Sequence, residues 1–539
     1  MIDNTTIWVF RAVASALCAC FFFVATHRLV GVMQQCGYKN KRFFAWLNQE
    51  RNVYFSRMLF WSILSITSTA LFVFVFYFLQ ETAALAMGGI PFFGFAIVFY
   101  LVDKRYALKV KANPSGRWKR LCVAYAVMIA LFSFALICLC SLLKPLLEMV
   151  FGWLQAMRFL PLCFLPALLP LALACANAVT AVFENARNEK FIKRGGQVLN
   201  ESKIIKVGIV GSYGKTSVKN ILKTLLEQRY RVVATPASYN TPIGVAKTVH
   251  SAEFAGAEVF LCEMGARRFG DIRELCDLVK PDYILFTGVC AQHVQTFGGE
   301  EQVFAAKCEA LASSARLAVC GEALRDKIEE NYPELVEKCR FVGSVEGAEL
   351  AATRTKITLS VGGESITADL PLLGDAAVEN VLIAVRMAEQ LGLTKDEILT
   401  GLAQVAAIPH RLELSEKDGV YILDDAYNCN ERGAKIAIDA LGRFAGRKYV
   451  VTPGIVETGV LHEAINGRLG ELLAQASLDG VFIVGETQAK VIVDGYKNAG
   501  GDMDSMRLVP SLQDAVRALS GKLSVGDCVL FMNDLPDVV

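Results

Sequence analysis

A helical membrane-spanning half followed by an α/β half built on parallel sheets is the fold class that this 539-residue sequence predicts. Three observations carry the prediction. Residues 1–200 hold 20 Lys and Arg against 7 Asp and Glu, and 23 of the 33 Phe. Residues 201–539 hold 35 against 46, and 33 of the 42 Gly, so the formal charge of +2 averages a basic, apolar half with an acidic, Gly-rich one. The first half contains five apolar stretches, whereas the second alternates short apolar runs with amphipathic ones. With 54% hydrophobic and 20% charged residues the chain is not disordered.

The apolar stretches are Ile7–Val30, Met58–Leu79, Ala83–Val102, Leu121–Leu143 and Phe159–Phe183. Each approaches the ~20 residues that cross a ~30 Å hydrocarbon core. The first is the weakest, because Arg11 sits inside it and His27–Arg28 closes it. Its length, and the spans that follow, argue against a cleaved signal peptide. Lys39, Lys41, Arg42, Arg51 and Arg57 follow the first stretch, and seven cations from Lys104 to Arg120 follow the third. The other connections offer only Glu81, and Lys144, Glu148 and Arg158. The positive-inside rule then places the N-terminus outside a plasma membrane, makes the chain multi-pass and leaves everything after Phe183 cytoplasmic. Basic loops fix topology against anionic lipid, and a docking surface for an anionic lipid-linked substrate is the alternative. No Asp, Glu, Lys or Arg lies mid-span beyond Arg11, which disfavours a transporter. The sixteen Cys form no C-x-x-C pair and read as small core residues.

The expected domains are 1–184 (transmembrane), 185–202 (a polar linker), 203–408 (central α/β) and 409–539 (C-terminal α/β). Strands are expected at Lys206–Val210, Arg231–Ala234, Glu258–Cys262, Tyr283–Phe286 and Leu317–Cys320, with a helix over Thr216–Glu227. Repeated strand–helix units imply a parallel sheet covered on both faces. Between the first strand and its helix stands Gly211-Ser212-Tyr213-Gly214-Lys215-Thr216-Ser217. Glycines let backbone wrap phosphate oxygens, Lys215 would neutralise β/γ-phosphates and Thr216 would meet Mg²⁺. The spacing is G-x-x-G-K-T, shorter than the general P-loop.

Gly211–Leu222 (GSYGKTSVKNIL) resembles the ATP loop of the Mur ligases, most closely the MurF-like branch that adds D-alanyl-D-alanine. Further matches follow in order: Asn240-Thr241-Pro242-Ile243-Gly244-Val245, Glu263-Met264-Gly265-Ala266, His293 within 292–298, Lys307 within Ala305–Glu309, Pro409-His410-Arg411-Leu412-Glu413 for P-G-R-L-E, and 424–430 for D-D-x-Y-N-A-N. The resemblance covers Lys203–Val539 and implies a P-loop central domain with a Rossmann-like C-terminal domain. It implies ATP-dependent amide formation through an acyl phosphate, in which catalysis is mainly positioning and electrostatic clamping.

By that resemblance Lys215, Lys307, His293 and Glu263 are the catalytic set. Gly211, Ser212, Tyr213, Gly214, Lys215, Thr216, Ser217, Asn380, Arg411 and Asp425 would bind nucleotide. Thr216, Glu263 and His293 would hold Mg²⁺, two ions in all, and Asn240 and Thr241 would face substrate. Lys307 matches a lysine that the family carbamylates, although a helical lysine is by itself a solvated charge. Arg411 and Asp425 match residues that contact ATP when the C-terminal domain closes.

Departures are equally legible. The family's G-x-H-N-x-x-N reads Gly374-Asp375-Ala376-Ala377-Val378-Glu379-Asn380, so the His-Asn pair near the nucleotide base is missing. Gly288 stands where Asn commonly follows Thr, and the last strand, Cys528–Met532, ends in Asn533-Asp534 rather than K-G-S. The apolar half takes the place of the domain that grips a UDP-sugar peptide, so that substrate is not carried over. The expected partners are the bilayer, a lipid-linked or polymeric carboxylate acceptor and an amino acid or short-peptide amine, with no nucleic acid. Poly-γ-glutamate-type synthesis and a catalytically altered membrane scaffold are the alternatives.

Overall fold

The structure is a computed structural model that describes residues 4–48, 54–77, 93–94, 96–101, 113–150, 161–236, 239–290, 297, 299–427, 430–456, 458, 461–485 and 488–533. It divides into two compact units, Met1–Asn188 with Pro536–Val539, and Glu189–Leu535.

In the first unit the helices Asn4–Thr26, Arg28–Gln35, Asn40–Leu47, Tyr54–Tyr77 and Gly116–Val150 are joined by the start of Leu165–Glu201. Along Gly116–Val150 the residues Leu121, Tyr125 and Ile129 are buried, while Val123, Val127 and Leu131 are exposed. Both sets recur every four residues, so one stripe packs inward and an equally apolar stripe faces out. An outward apolar stripe suits lipid, not water. Tyr125 Oη and Thr26 Oγ1, both buried, bond each other at 2.9 Å. Arg11, the charge inside the first stretch, donates to Ser141 Oγ at 3.0 Å and lies 4.8 Å over the Trp8 ring.

Three helical stretches among the described residues are long and apolar enough to cross a membrane: Thr5–Thr26, Gly116–Leu142 and Pro161–Glu201. Three, not five, is therefore what the described residues carry. Tyr54–Tyr77 is helical over most of the second expected stretch, whereas Ala83–Val102 lies largely outside the described residues. The expected linker is helical: residues 185–201 continue the helix that begins at Leu165, and their polar composition is rich in helix formers. A Glu189–Lys193 pair at i,i+4 spacing (2.7 Å) supports that exposed turn.

The second unit carries two six-stranded sheets. The first contains β1 (Ile205–Val210), β2 (Val232–Ala234), β3 (Val259–Glu263), β4 (Tyr283–Phe286), β5 (Leu317–Cys320) and β6 (Cys339–Phe341), in the order β2-β3-β1-β4-β5-β6 and wholly parallel. Side chains alternate across β1. Val207 and Ile209 pack with Leu222 and Val381 on one face, and Val210 packs with Phe260 and Phe286 on the other. Burial on both faces explains the continuous apolar runs of the sequence. A three-stranded antiparallel sheet, β7 (Gly347–Leu350), β8 (Thr355–Val361) and β9 (Glu364–Leu370), adds its apolar face to the first cluster.

The second six-stranded sheet orders β10 (Glu413–Lys417), β11 (Val420–Asp425), β12 (Lys448–Thr452), β13 (Gly480–Val484), β14 (Met506–Val509) and β15 (Cys528–Met532) as β10-β11-β15-β12-β13-β14. Only the edge strand β10 is antiparallel. The chain enters it through Pro409–Leu412, where His410 (φ +58°) and Leu412 (φ +49°) adopt left-handed backbone. Each left-handed non-Gly residue costs about 1–2 kcal/mol, so a glycine at either position would relieve strain. The carboxyl end of β11 delivers Asp424 and Asp425, as ligand sites in open α/β sheets require.

Candidate active site

The Gly-rich turn leaves β1 and ends at Gly214, in left-handed backbone (φ +76°), where the helix Lys215–Leu226 begins. The loop is braced from β4. Ser212 N donates to Gly288 O (2.7 Å), and Thr287 Oγ1 donates to Tyr213 O (2.5 Å). A methyl group on Gly211 would lie 2.0 Å from Thr287 Oγ1 and 3.1 Å from Gly288 O. Gly211→Ala is therefore expected to destabilise the protein by about 1–3 kcal/mol through overpacking and to weaken nucleotide binding. Denaturant unfolding and calorimetric ATP titration check this.

Two ammonium groups converge on one carbonyl of this loop. Lys215 Nζ donates to Gly211 O at 2.7 Å and to Ser212 O at 3.3 Å, and Lys307 Nζ donates to the same Gly211 O at 2.9 Å. Lys307 reaches in from the helix Glu300–Cys308 and is 4% exposed. Burial, reinforced by the neighbouring Lys215 charge, pushes its amine down to about 7. Burial also lowers Lys215; Glu263 opposes that and Arg411 adds to it. The Lys215 ammonium, held beside the loop carbonyls, is suited to meet phosphate oxygens.

Thr216 Oγ1 donates to Glu263 Oε2 at 3.0 Å, bringing a hydroxyl and a carboxylate together at the end of β3. Mg²⁺ takes such oxygen ligands, so the donor set fits it. Thr216 and Glu263 would hold the ion, which when bound supplies charge neutralisation at phosphate oxygens. His293, the third expected ligand, lies outside the described residues. Asn240 and Thr241 come beside this strand end: Gly265 N donates to Asn240 O (2.9 Å), and Thr241 immediately precedes the helix Pro242–Val249.

Sequence reasoning overlooked Lys219, which is 2% exposed and donates to Glu263 Oε2 (3.0 Å) and Thr235 O (2.8 Å). It lies one helical turn after Lys215, on the same helix face, and nothing in its local sequence sets it apart from a solvated helical lysine. Lys219→Met would leave the buried Glu263 charge uncompensated, an expected loss of about 3–5 kcal/mol. Lys219→Met/Glu263→Gln is expected to recover stability but not turnover, and urea unfolding of the two variants separates these effects.

From the C-terminal sheet, Asp425 Oδ1 accepts from Leu412 N at 3.2 Å, and the Arg411 guanidinium lies 4.4 Å over the Tyr427 ring. Burial raises the Asp425 carboxyl to about 7, against the lowering influence of Arg411. Arg411 and Asp425 line one cavity with Tyr213, Gly214, Ser217 and Asn380 of the central sheet's loops. The amide of Asn380 closes over the loop: a methyl on Gly214 would meet its Oδ1 at 2.5 Å. Of the expected nucleotide residues, Tyr213, Gly214, Ser217, Asn380, Arg411 and Asp425 thus line one cavity.

Residues 209–388 match the Mur ligase middle domain, and residues 410–534 match the Mur ligase glutamate ligase domain, together more than half of the chain. The chain belongs to the Mur ligase family. It is an ATP-dependent carboxylate–amine ligase of that family. This Mur ligase is 26% identical over 331 residues to the UDP-N-acetylmuramoyl-tripeptide–D-alanyl-D-alanine ligase of Bacillus subtilis, a match spanning 60% of the chain and 72% of the relative. The Escherichia coli protein of the same name is 29% identical over 297 residues, 52% of the chain and 64% of the relative. The crystal structure of the MurF ligase from Thermotoga maritima in complex with ADP superposes with a TM-score of 0.58 at 26% identity. It covers 64% of the chain and 80% of its own.

One departure of this Mur ligase now has a physical reason. A side chain at Gly288 would lie 2.2 Å from the Tyr213 hydroxyl oxygen, so the phenol already fills the space that an asparagine would need.

Proposed function

We propose that the chain is a membrane-anchored, ATP- and Mg²⁺-dependent amide ligase. It adds an amino acid or short peptide to a carboxylate of a lipid-linked cell-envelope precursor or polymer. The relatives are named as ligases of a UDP-N-acetylmuramoyl-tripeptide and D-alanyl-D-alanine, and the apolar helices of the first unit support an acceptor at a bilayer. A tether of this kind raises the local concentration of a lipid-embedded acceptor. Catalytic domains facing the cytoplasm give the ligase its ATP.

The observation that carries the reading is the convergence of Lys215 and Lys307 on Gly211 O beside the Thr216–Glu263 pair. An acceptor carboxylate oxygen attacks the γ-phosphorus of ATP, the bond from that phosphorus to the β–γ bridging oxygen breaks and ADP leaves. The amine nitrogen then attacks the acyl carbon, phosphate leaves and the amine proton is lost. Lys215 binds and neutralises the transferred phosphoryl oxygens throughout. Lys307, whose amine burial pushes down to about 7, is suited to add CO₂ and become an anionic carbamate that orients the site. Arg411 and Asp425 close the cavity and keep water from the acyl phosphate.

The test supplies full-chain membranes with ATP, lipid extract and hydroxylamine in place of the amine. Trapping of the acceptor as a hydroxamate with stoichiometric ADP supports the reading. AMP as product, or ATP turnover without hydroxamate, overturns it.

A further inference from the structure

Arg432 belongs to none of the matched motifs, yet three distant segments meet at its guanidinium. It lies in the first turn of the helix Glu431–Gly442, which Asn430 caps by accepting from Gly433 N at 2.8 Å. A cation in a first helical turn opposes the helix dipole, so the position needs compensating partners. The partners come from elsewhere in the chain. Arg432 stacks 4.3 Å over the ring of Tyr213 in the phosphate loop and donates Nη1 to its hydroxyl. It donates Nη2 to Glu379 Oε2 at 2.8 Å, on the helix Asp375–Gln390.

The receiving side is built for this contact. Glycine at 288 leaves room for the Tyr213 ring, and Glu379 stands in the stretch whose His-Asn pair is missing, partly buried and facing the guanidinium. Tyr213 and Arg432 line the same cavity as Arg411 and Asp425. A planar guanidinium satisfies ring stacking and a carboxylate at once, which a lysine ammonium cannot do.

We propose that Arg432 is a positioning residue that clamps the C-terminal α/β region onto the phosphate loop through Tyr213 and Glu379, holding the closed arrangement in which transfer occurs. The inference rests on the ligase reading but assigns Arg432 no contact with a reacting atom. Mispositioning by a fraction of an ångström to an ångström lowers rate without abolishing binding.

The experiment compares full-length wild type, Arg432→Ala and Arg432→Lys. Both variants are expected to lose about 10- to 100-fold in kcat, with the Kd for ATP within about threefold, since phosphate affinity resides in the loop's own groups. Added guanidinium ion is expected to restore Arg432→Ala in part and to leave Arg432→Lys unchanged. ATP should protect residues 403–413 from protease in wild type and not in Arg432→Ala, a readout that needs no turnover. Full activity or full protection in Arg432→Ala overturns the clamp, as does a loss of ATP affinity proportional to the loss of kcat. Wild type that closes on ATP without ligating would instead fault the ligase reading.

Discussion

Lys215→Ala is expected to lower ATP-dependent turnover by at least about 10²–10³-fold, the scale set by removing one preorganised donor from a charge-stabilising site. The loss should be larger in kcat than in ATP affinity, because negative charge on the transferred phosphoryl group matters most as it moves. Lys215 Nζ already lies over the loop, bonded to Gly211 O and Ser212 O, so little reorganisation separates it from the phosphate oxygens it would meet. Arginine is not expected to substitute, since its planar fork cannot occupy a site shaped around one ammonium group. Steady-state ADP release with calorimetric ATP binding measures both quantities. Undiminished turnover in Lys215→Ala would remove the nucleotide assignment of the loop.

Lys307→Ala is expected to lose activity on the same scale, with a CO₂ dependence that Lys215 variants lack. An amine near 7 is about half neutral at pH 7, whereas an ordinary lysine near 10.4 is neutral in roughly one molecule in 10³. Carbamate formation consumes the neutral amine and CO₂ and releases a proton. At fixed dissolved CO₂ activity should therefore fall as pH drops below 7 and recover when CO₂ is raised. Wild-type protein in CO₂-depleted buffer should lose activity, and ¹³C-labelled bicarbonate should give a carbamate resonance absent from Lys307→Ala. Folding carries the opposite sign. An amine whose folded pKa is depressed weakens the native state below its unfolded value, so Lys307→Ala should keep or raise the melting temperature. A melting temperature that collapses with activity would make Lys307 a structural residue.

Much of the α/β half was legible because its signals are local. The strand–glycine–helix succession around Gly211–Thr216 needs only neighbouring residues, and Tyr283–Phe286, Leu317–Cys320 and Cys528–Met532 match their expected strands end for end. Partners brought together by topology were not legible. Lys219 is an unremarkable helical lysine until β3 delivers Glu263 from 44 residues away, and Arg432 meets Tyr213 across 219. Gly288 read as a loss until its space proved to be filled by Tyr213. The helical form of the linker segment 185–201 was not legible for another reason: polarity marks exposure, and an exposed helix is as polar as a loop.

The most direct measurement of the central claim separates the acceptor by solvent. Full-length protein in native-membrane vesicles is given ATP, Mg²⁺ and a set of amino acids and dipeptides, with either the organic-phase lipid extract or the aqueous UDP-sugar-peptide pool as acceptor. The expected result is amine-dependent ADP release with the lipid fraction, coupled one-to-one to a mass increase of a lipid-linked species. Equal or greater turnover with the aqueous pool alone, and none with the lipid fraction, would contradict it.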